Sequence, residues 1–323
     1  MQLSELCSQY VSDPYSRYRK GRYCSRQNTD ALIRRLCAEH GETDVAKIGP
    51  RDVIGWHASW LGPDETKVAM AHALIGALRT VVGYGNTMLQ DPECRKLKET
   101  LSGLRFAMSK PRTISITAAQ VVAVRAKAHE MGLHSVALAQ AIQFSCTFRQ
   151  KDCIGEWVPA TEKVKPLFTD GDRYWLRGVH WSEIDENLIL RHITSKRQKP
   201  VEIDLKLAPM IAAELQWLGP IEALSGPVVI SEETGVPHTA VQFRRLWRKV
   251  ANAAGIPPNV RNMDTRSGAI TEAFQLGASG SMVRKVATHS QQSQTDAYNR
   301  GDAEDIAAVM KLRAGQHTNM EAA

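Results

Sequence analysis

Metal-binding cysteine pairs are missing from this chain. Its six cysteines, Cys7, Cys24, Cys37, Cys94, Cys146 and Cys153, form no Cys-x-x-Cys motif, and no histidine cluster completes a zinc set. They read as reduced thiols, not as a disulfide framework. The N-terminus lacks a charged-then-apolar leader, and no apolar run reads as long enough to cross a bilayer. Low-complexity tracts and internal repeats are also absent. Together these absences set aside secreted, membrane-spanning and zinc-scaffold classes, and the expectation is a soluble cytoplasmic protein.

What is present is enough chain for two ordinary domains, 323 residues of which 43% are hydrophobic. Lys and Arg number 41 against 34 Asp and Glu, a formal charge of +7. That balance favours a polyanionic partner. The first third is the more basic per residue, and it carries Arg17-Tyr18-Arg19-Lys20-Gly21-Arg22-Tyr23. Arg17, Arg19, Lys20 and Arg22 suit phosphate contacts and the tyrosines suit sugars; the same stretch also reads as a solvated tail or a helix start.

Residues 30–106 carry helical spacing. Leu32, Ile33 and Leu36 share one face, Ile48–Asp52 is a turn leading into a helix through Trp60, and Glu65–Tyr84 is longer. Asp91-Pro92 opens another helix, through Leu104. The reading is an all-α module over residues 1–110. Lys110-Pro111-Arg112-Thr113 is the linker candidate, since a residue before proline is biased away from helix. Lys110 and Arg112 suit a strap lying against a backbone.

Residues 111–323 begin with a helix capped by Thr117 and a buried apolar helix over Ser135–Thr147. Strands are expected at Tyr174–Leu176, Leu188–Ile193 and Val201–Leu205, the last two joined by a hairpin loop at Ser195–Pro200. Helices are expected at Pro209–Leu218, Thr239–Ala254, Thr265–Gln275 and Ser281–Thr288. A further helix lies near Tyr298, and a last one at Ala303–Leu312. The fold class is therefore mainly α with a small antiparallel β-sheet. Gly277-Ala278-Ser279 also fits the turn of a helix-turn-helix.

Five residues in this second part suit one reaction. Arg149 follows the buried helix, Lys196 sits in the hairpin loop, Arg266 opens a helix, and His289 precedes Tyr298 by nine positions. A guanidinium fork binds phosphate bidentately and keeps its charge. Lysine on a turn suits proton donation, and histidine suits hydrogen bonding or proton exchange near neutral pH. Tyrosine becomes an effective nucleophile when cations or a base assist it. Asp152 lies one helical turn beyond Arg149, on the same face, placed to orient a partner.

In that order these residues resemble the tyrosine recombinase (phage integrase) family. The resemblance spans most of the chain. It implies an all-α SAM-like core-binding domain followed by an α+β catalytic domain. In it Arg149 and Arg266 are the two arginines, Asp152 the acidic residue after the first, His289 the third-box residue and Tyr298 the nucleophile. Lys196 takes the hairpin lysine position, with Lys199 as its rival. Implied too are strand cleavage and rejoining of double-stranded DNA through a 3′-phosphotyrosine and a Holliday junction, without metal, cofactor or ATP. Four protomers, accessory bending or directionality factors, a nucleoid location and a mobile-element source complete that picture. Ala303–Leu312 would either dock on a neighbour or pack on its own domain. One position departs from the pattern: where the family has His or Lys, three residues before the second arginine, this chain has Met263. Methionine cannot exchange a proton, so a DNA-binding relative with impaired chemistry is the alternative reading.

Overall fold

The computed structural model describes residues 1–220, 223–296, 298 and 310. The chain divides into two units, Met1–Arg112 and residues from Thr113 onward.

The first unit is helical: α1 (Leu3–Ser12), α2 (Tyr23–His40), α3 (Pro50–Leu61), α4 (Val68–Thr87) and α5 (Pro92–Gly103). The chain ahead of the basic stretch forms a helix that the sequence reading lacked. Leu3, Leu6, Cys7 and Tyr10 recur at helical spacing and are buried with Leu36, Trp60, Leu74 and Leu78. Proline opens both α3 and α5, where its missing N–H costs nothing, and Asp91 caps α5 through the amides of Glu93 and Cys94. One expectation needs correction. By length and composition α4 is long and apolar enough to cross a bilayer. Its apolar residues Leu74, Ile75, Leu78, Val81 and Val82 are spent on the core of this unit.

The second unit is built around α7 (His134–Ser145), in which every residue from Ser135 to Phe144 is buried. Around it lie α6 (Ala118–Glu130), the short α8 (Gln150–Ile154), α9 (Pro209–Leu215), α10 (Ala240–Ala253) and α11 (Asp264–Gln275). Next in the chain come α12 (Gly280–Val286) and α13 (Gln292–Asp296). Thr117 and Gln120 cap α6 reciprocally, as Thr239 and Gln242 cap α10. The strands form two small antiparallel sheets. One has the order β1 (Glu156–Pro159), β3 (Arg173–Leu176), β2 (Phe168–Asp170); the other pairs β4 (Ile189–Ile193) with β5 (Pro200–Asp204). The sequence reading lacked β1 and β2, which are too short to show alternation. In the hairpin, Ile193 faces Pro200 and Leu190 faces Ile203. Its loop, Thr194–Lys199, is closed by the Gln198 and Thr194 amides donating to the carbonyls of Thr194 and Lys199.

Two glycines permit close approaches that bear on the site. A Cβ on Gly268 would lie 2.0 Å from the Ile116 carbonyl oxygen, so α11 can press against the chain entering α6 only with glycine there. Gly155, at φ +70°, ends α8 and lies against the Trp175 ring, which a Cβ would meet at 2.3 Å. The helix expected at Ala303–Leu312 lies outside the described residues except for Met310.

Candidate active site

Arg149 is placed by what precedes it. Helix α7 ends at Ser145, Thr147 turns the chain at φ +53°, and Phe148, 1% exposed, anchors the turn in the core. Arg149 then caps α8 through its backbone: its N–H donates to Asp152 Oδ2 at 3.0 Å. The other oxygen of that fully buried carboxylate accepts the Ser195 amide at 2.5 Å. Asp152 therefore ties the start of the hairpin loop to the Arg149 turn through two backbone amides. Arg149 Nη1 is buried and finds no acceptor among the described residues. A buried unpaired donor costs about 1–3 kcal/mol, so this nitrogen is poised for an oxygen that the described residues do not supply.

Arg266, 7% exposed, lies in the first turn of α11. Nη1 donates to the Thr147 carbonyl at 2.6 Å and Nη2 donates to the Ala287 carbonyl. Helix α11 is held for this on α7 by buried amides. Gln140 donates to Thr265 Oγ1 (3.1 Å) and accepts from Trp247 Nε1 (2.6 Å). Gln143 and Asn262 exchange two bonds, at 2.9 and 3.3 Å. Burial, and then the neighbouring Arg149 charge, pull the Arg266 pKa down to about 10, which leaves it cationic at neutral pH.

His289 is 8% exposed and follows Thr288, whose φ is +52°. The two threonines flanking this region, Thr147 and Thr288, thus both sit in the left-handed region that β-branched residues avoid, at roughly 1–3 kcal/mol each. Nδ1 of His289 is 3.0 Å from Thr295 Oγ1. The imidazole stacks on the Tyr298 ring, with centroids 5.7 Å apart and planes 19° apart. Tyr298 sits in a turn after α13, half-buried against Ile270, Val283 and Ala287. Burial, followed by the charges of Arg266, Arg149, Arg197 and Lys199, depresses the His289 pKa to about 4. Because this folded value lies below the ordinary 6.5, the stability contributed by neutral His289 is complete above about pH 6.5 and is lost as pH falls toward 4. Thermal unfolding followed from pH 7 to pH 4 should show a loss of up to roughly 3 kcal/mol from this group, absent in His289→Gln.

The hairpin lysines separate. Both are exposed, and Lys199 Nζ reaches the His289 carbonyl oxygen at 3.5 Å. The structure therefore brings Arg149, Arg266, His289, Tyr298, Asp152 and Lys199 to one region and leaves the Lys196 side chain facing solvent. Sequence reasoning overlooked Thr295, fully buried against His289, and Arg197, whose charge acts on it. Thr295 carried no signal beyond lying between the two motif residues. Met263 is 62% exposed, and its flanking residues turn away: Asn262 toward Gln143, and Asp264 back to the Arg261 amide at 2.7 Å.

In the first unit Arg17, Arg19 and Lys20 are exposed and Arg22 caps α2. Arg17 borders a cavity of about 510 Å³ with Arg79, Lys98, Tyr10, Tyr15 and Tyr84, and no carboxylate lines it. Arg19 lies instead on a separate cavity that includes Asp30. Lys110 and Arg112 are exposed on non-helical chain. Among the described residues no group of three or more His, Cys, Asp or Glu is arranged to hold a metal ion.

No protein-family model and no curated protein matches the sequence. Solved structures do. A lambda integrase dimer bound to a COC′ core site superposes with a TM-score of 0.71 at 16% identity, over 93% of this chain and 97% of that one. The Tn1549 transposon integrase in complex with transposon right-end DNA gives 0.67 at 12%, over 98% and 100%. A lambda integrase tetramer bound to a Holliday junction gives 0.68 at 15%, over 92% and 77%. At these identities the likeness is one of fold: the chain has the mainly helical fold, with small antiparallel sheets, of the tyrosine recombinases.

Proposed function

We propose that this chain, built on the tyrosine-recombinase fold, is a site-specific DNA recombinase or integrase that cleaves and rejoins DNA through Tyr298. The observation that carries the reading is the convergence of Arg149, Arg266, His289 and Tyr298 from four separate segments around an unpaired guanidinium nitrogen. Arg149 and Arg266 would neutralise a phosphodiester, usually the largest catalytic contribution in such a site. Tyr298 Oη would attack phosphorus as the bond to the 5′-oxygen breaks, giving a 3′-phosphotyrosine. The leaving oxygen would take a proton from a hairpin lysine; the 3.5 Å contact to His289 supports Lys199 as well placed. Thr295 engages Nδ1 of His289 and leaves Nε2 for the phosphate or the phenol proton. A bound phosphate opposes the cationic field that depresses His289 and so raises its pKa toward the useful range. Attack by a 5′-hydroxyl from a partner strand reverses the step, so exchange through a Holliday junction needs no external energy.

Double-stranded DNA is the partner this chemistry requires. Two exchanges on two duplexes would use four protomers, with accessory bending or directionality factors and a nucleoid location. The exposed cations Arg17, Arg19, Lys20, Lys110 and Arg112, with the half-buried Arg22, are candidates for backbone contact. The test is covalent trapping: wild type and Tyr298→Phe are incubated with nicked duplexes tiled across DNA flanking the gene and resolved on a denaturing gel. A protease-sensitive shifted band from wild type alone is expected; an equal band from Tyr298→Phe refutes the assignment. The second reading, a DNA-binding relative with impaired chemistry, is favoured by the exposed methionine at position 263. It predicts salt-sensitive, site-specific binding with no adduct.

A further inference from the structure

We infer that Gln150 supplies the scissile phosphate with the hydrogen bond that Met263 cannot give. The inference rests on the recombinase reading above. Gln150 follows Arg149 directly, and its Nε2 is buried without an acceptor among the described residues, as Arg149 Nη1 is. Two consecutive side chains thus each hold a buried donor with nothing to donate to. Buried donors are ordinarily paired, so a neighbouring pair of orphans marks a place where an outside acceptor belongs.

The surroundings say what kind. Gln150 and Met263 line one cavity of about 440 Å³, together with Arg244, Arg248, Arg261 and Asn262. Three guanidiniums and no carboxylate face it. Burial and the Arg261 charge lower the Arg248 pKa, and the Asp264 carboxylate opposes them only in part. A phosphodiester meets both demands: it brings negative charge and non-bridging oxygens with free lone pairs. Met263 holds the position at which the family resemblance implies a histidine or lysine, and Gln150, next to Arg149 in the chain, lines the same cavity. An amide does not exchange a proton but donates a hydrogen bond at any pH. Gln150 would therefore stabilise charge on the phosphate without entering the proton transfers.

The experiment measures adduct formation on a nicked duplex under single-turnover conditions for wild type, Gln150→Ala, Met263→His and the double variant, with thermal unfolding as the folding control. Non-covalent binding is measured for each in a Tyr298→Phe background. Gln150→Ala is expected to slow adduct formation by roughly 10- to 100-fold, toward the range for removing one transition-state donor, with a smaller change in Kd. Met263→His should recover much of that loss in the double variant while improving the wild type less, because the two side chains serve one oxygen. Rescue separates a donor from a merely structural glutamine, which histidine at position 263 would not replace. Gln150→Ala cleaving at the wild-type rate overturns the inference and leaves the recombinase reading intact. Equal stimulation of both backgrounds by Met263→His overturns it as well. A wild type that forms no adduct on any duplex it binds specifically removes the recombinase reading itself, and the inference with it.

Discussion

Arg266→Lys is expected to lower single-turnover cleavage by about 10³-fold or more, beyond the loss from removing a single fixed donor. The size follows from how the guanidinium is used. One nitrogen is committed to the Thr147 carbonyl and another to the Ala287 carbonyl, and the rest of the planar fork is left for substrate. An ammonium keeps the charge but has one nitrogen, and it cannot bridge two carbonyls in a set plane while binding phosphate. Those carbonyls belong to the segments that contain the left-handed Thr147 and that lead to the left-handed Thr288. Lysine would thus also release two strained turns, one leading to Arg149 and the other to His289. Cleavage within tenfold of wild type would show that Arg266 is a structural clamp and not part of the phosphate site.

Asp152→Ala is the second large effect, and it combines stability with chemistry. The carboxylate is fully buried and accepts from two backbone amides, those of Arg149 and of Ser195, which lies 43 residues beyond Asp152. Truncation leaves both amides without that acceptor, at about 1–3 kcal/mol each. A total loss of roughly 2–5 kcal/mol is expected in chemical denaturation. Because the tie holds the hairpin loop, the surviving folded fraction should also cleave slowly, with the Ser195 amide exchanging faster with solvent. If hydrogen exchange at Ser195 is unchanged, the loop is held by its own turn bonds and Asp152 acts on Arg149 alone. Asp152→Asn should resemble alanine in part, since one of its two terminal atoms becomes a donor facing an amide.

The pair Lys196 and Lys199 illustrates how far a pattern reaches. Both lie in one polar loop, and spacing alone favours neither. The loop closes through Thr194, Gln198 and Lys199, with Gln198 at φ +52°. That turn brings Lys199 Nζ to the His289 carbonyl oxygen, although both lysines are exposed. Which lysine faces the site thus depends on backbone torsions that residue types do not encode one by one.

The starts of α3, α5, α6 and α10 were legible because they rest on local chemistry, whereas α1 and the first two turns of α2 were not read. Thr117 with Gln120, Thr239 with Gln242, and the prolines at positions 50 and 92 act on amides within a few residues of themselves. The burial of α7 was legible because an unbroken apolar run has no exposed face to offer. The candidate site was legible as a set of residue types in order, since phosphate chemistry calls for few kinds of side chain. Other features arise between segments far apart in the chain. Asp152 meets Ser195, Arg266 meets Thr147, and Gln150 shares a cavity with Met263 only when α7, α8, α11 and the hairpin are packed. Packing within the first unit likewise covers the apolar face of α4 with Leu6, Leu36 and Trp60. Local interactions are written into neighbouring residues. Buried donors, strained turns and shared cavities come from the close packing of distant ones, where one helix pressing on Gly268 decides where a guanidinium points.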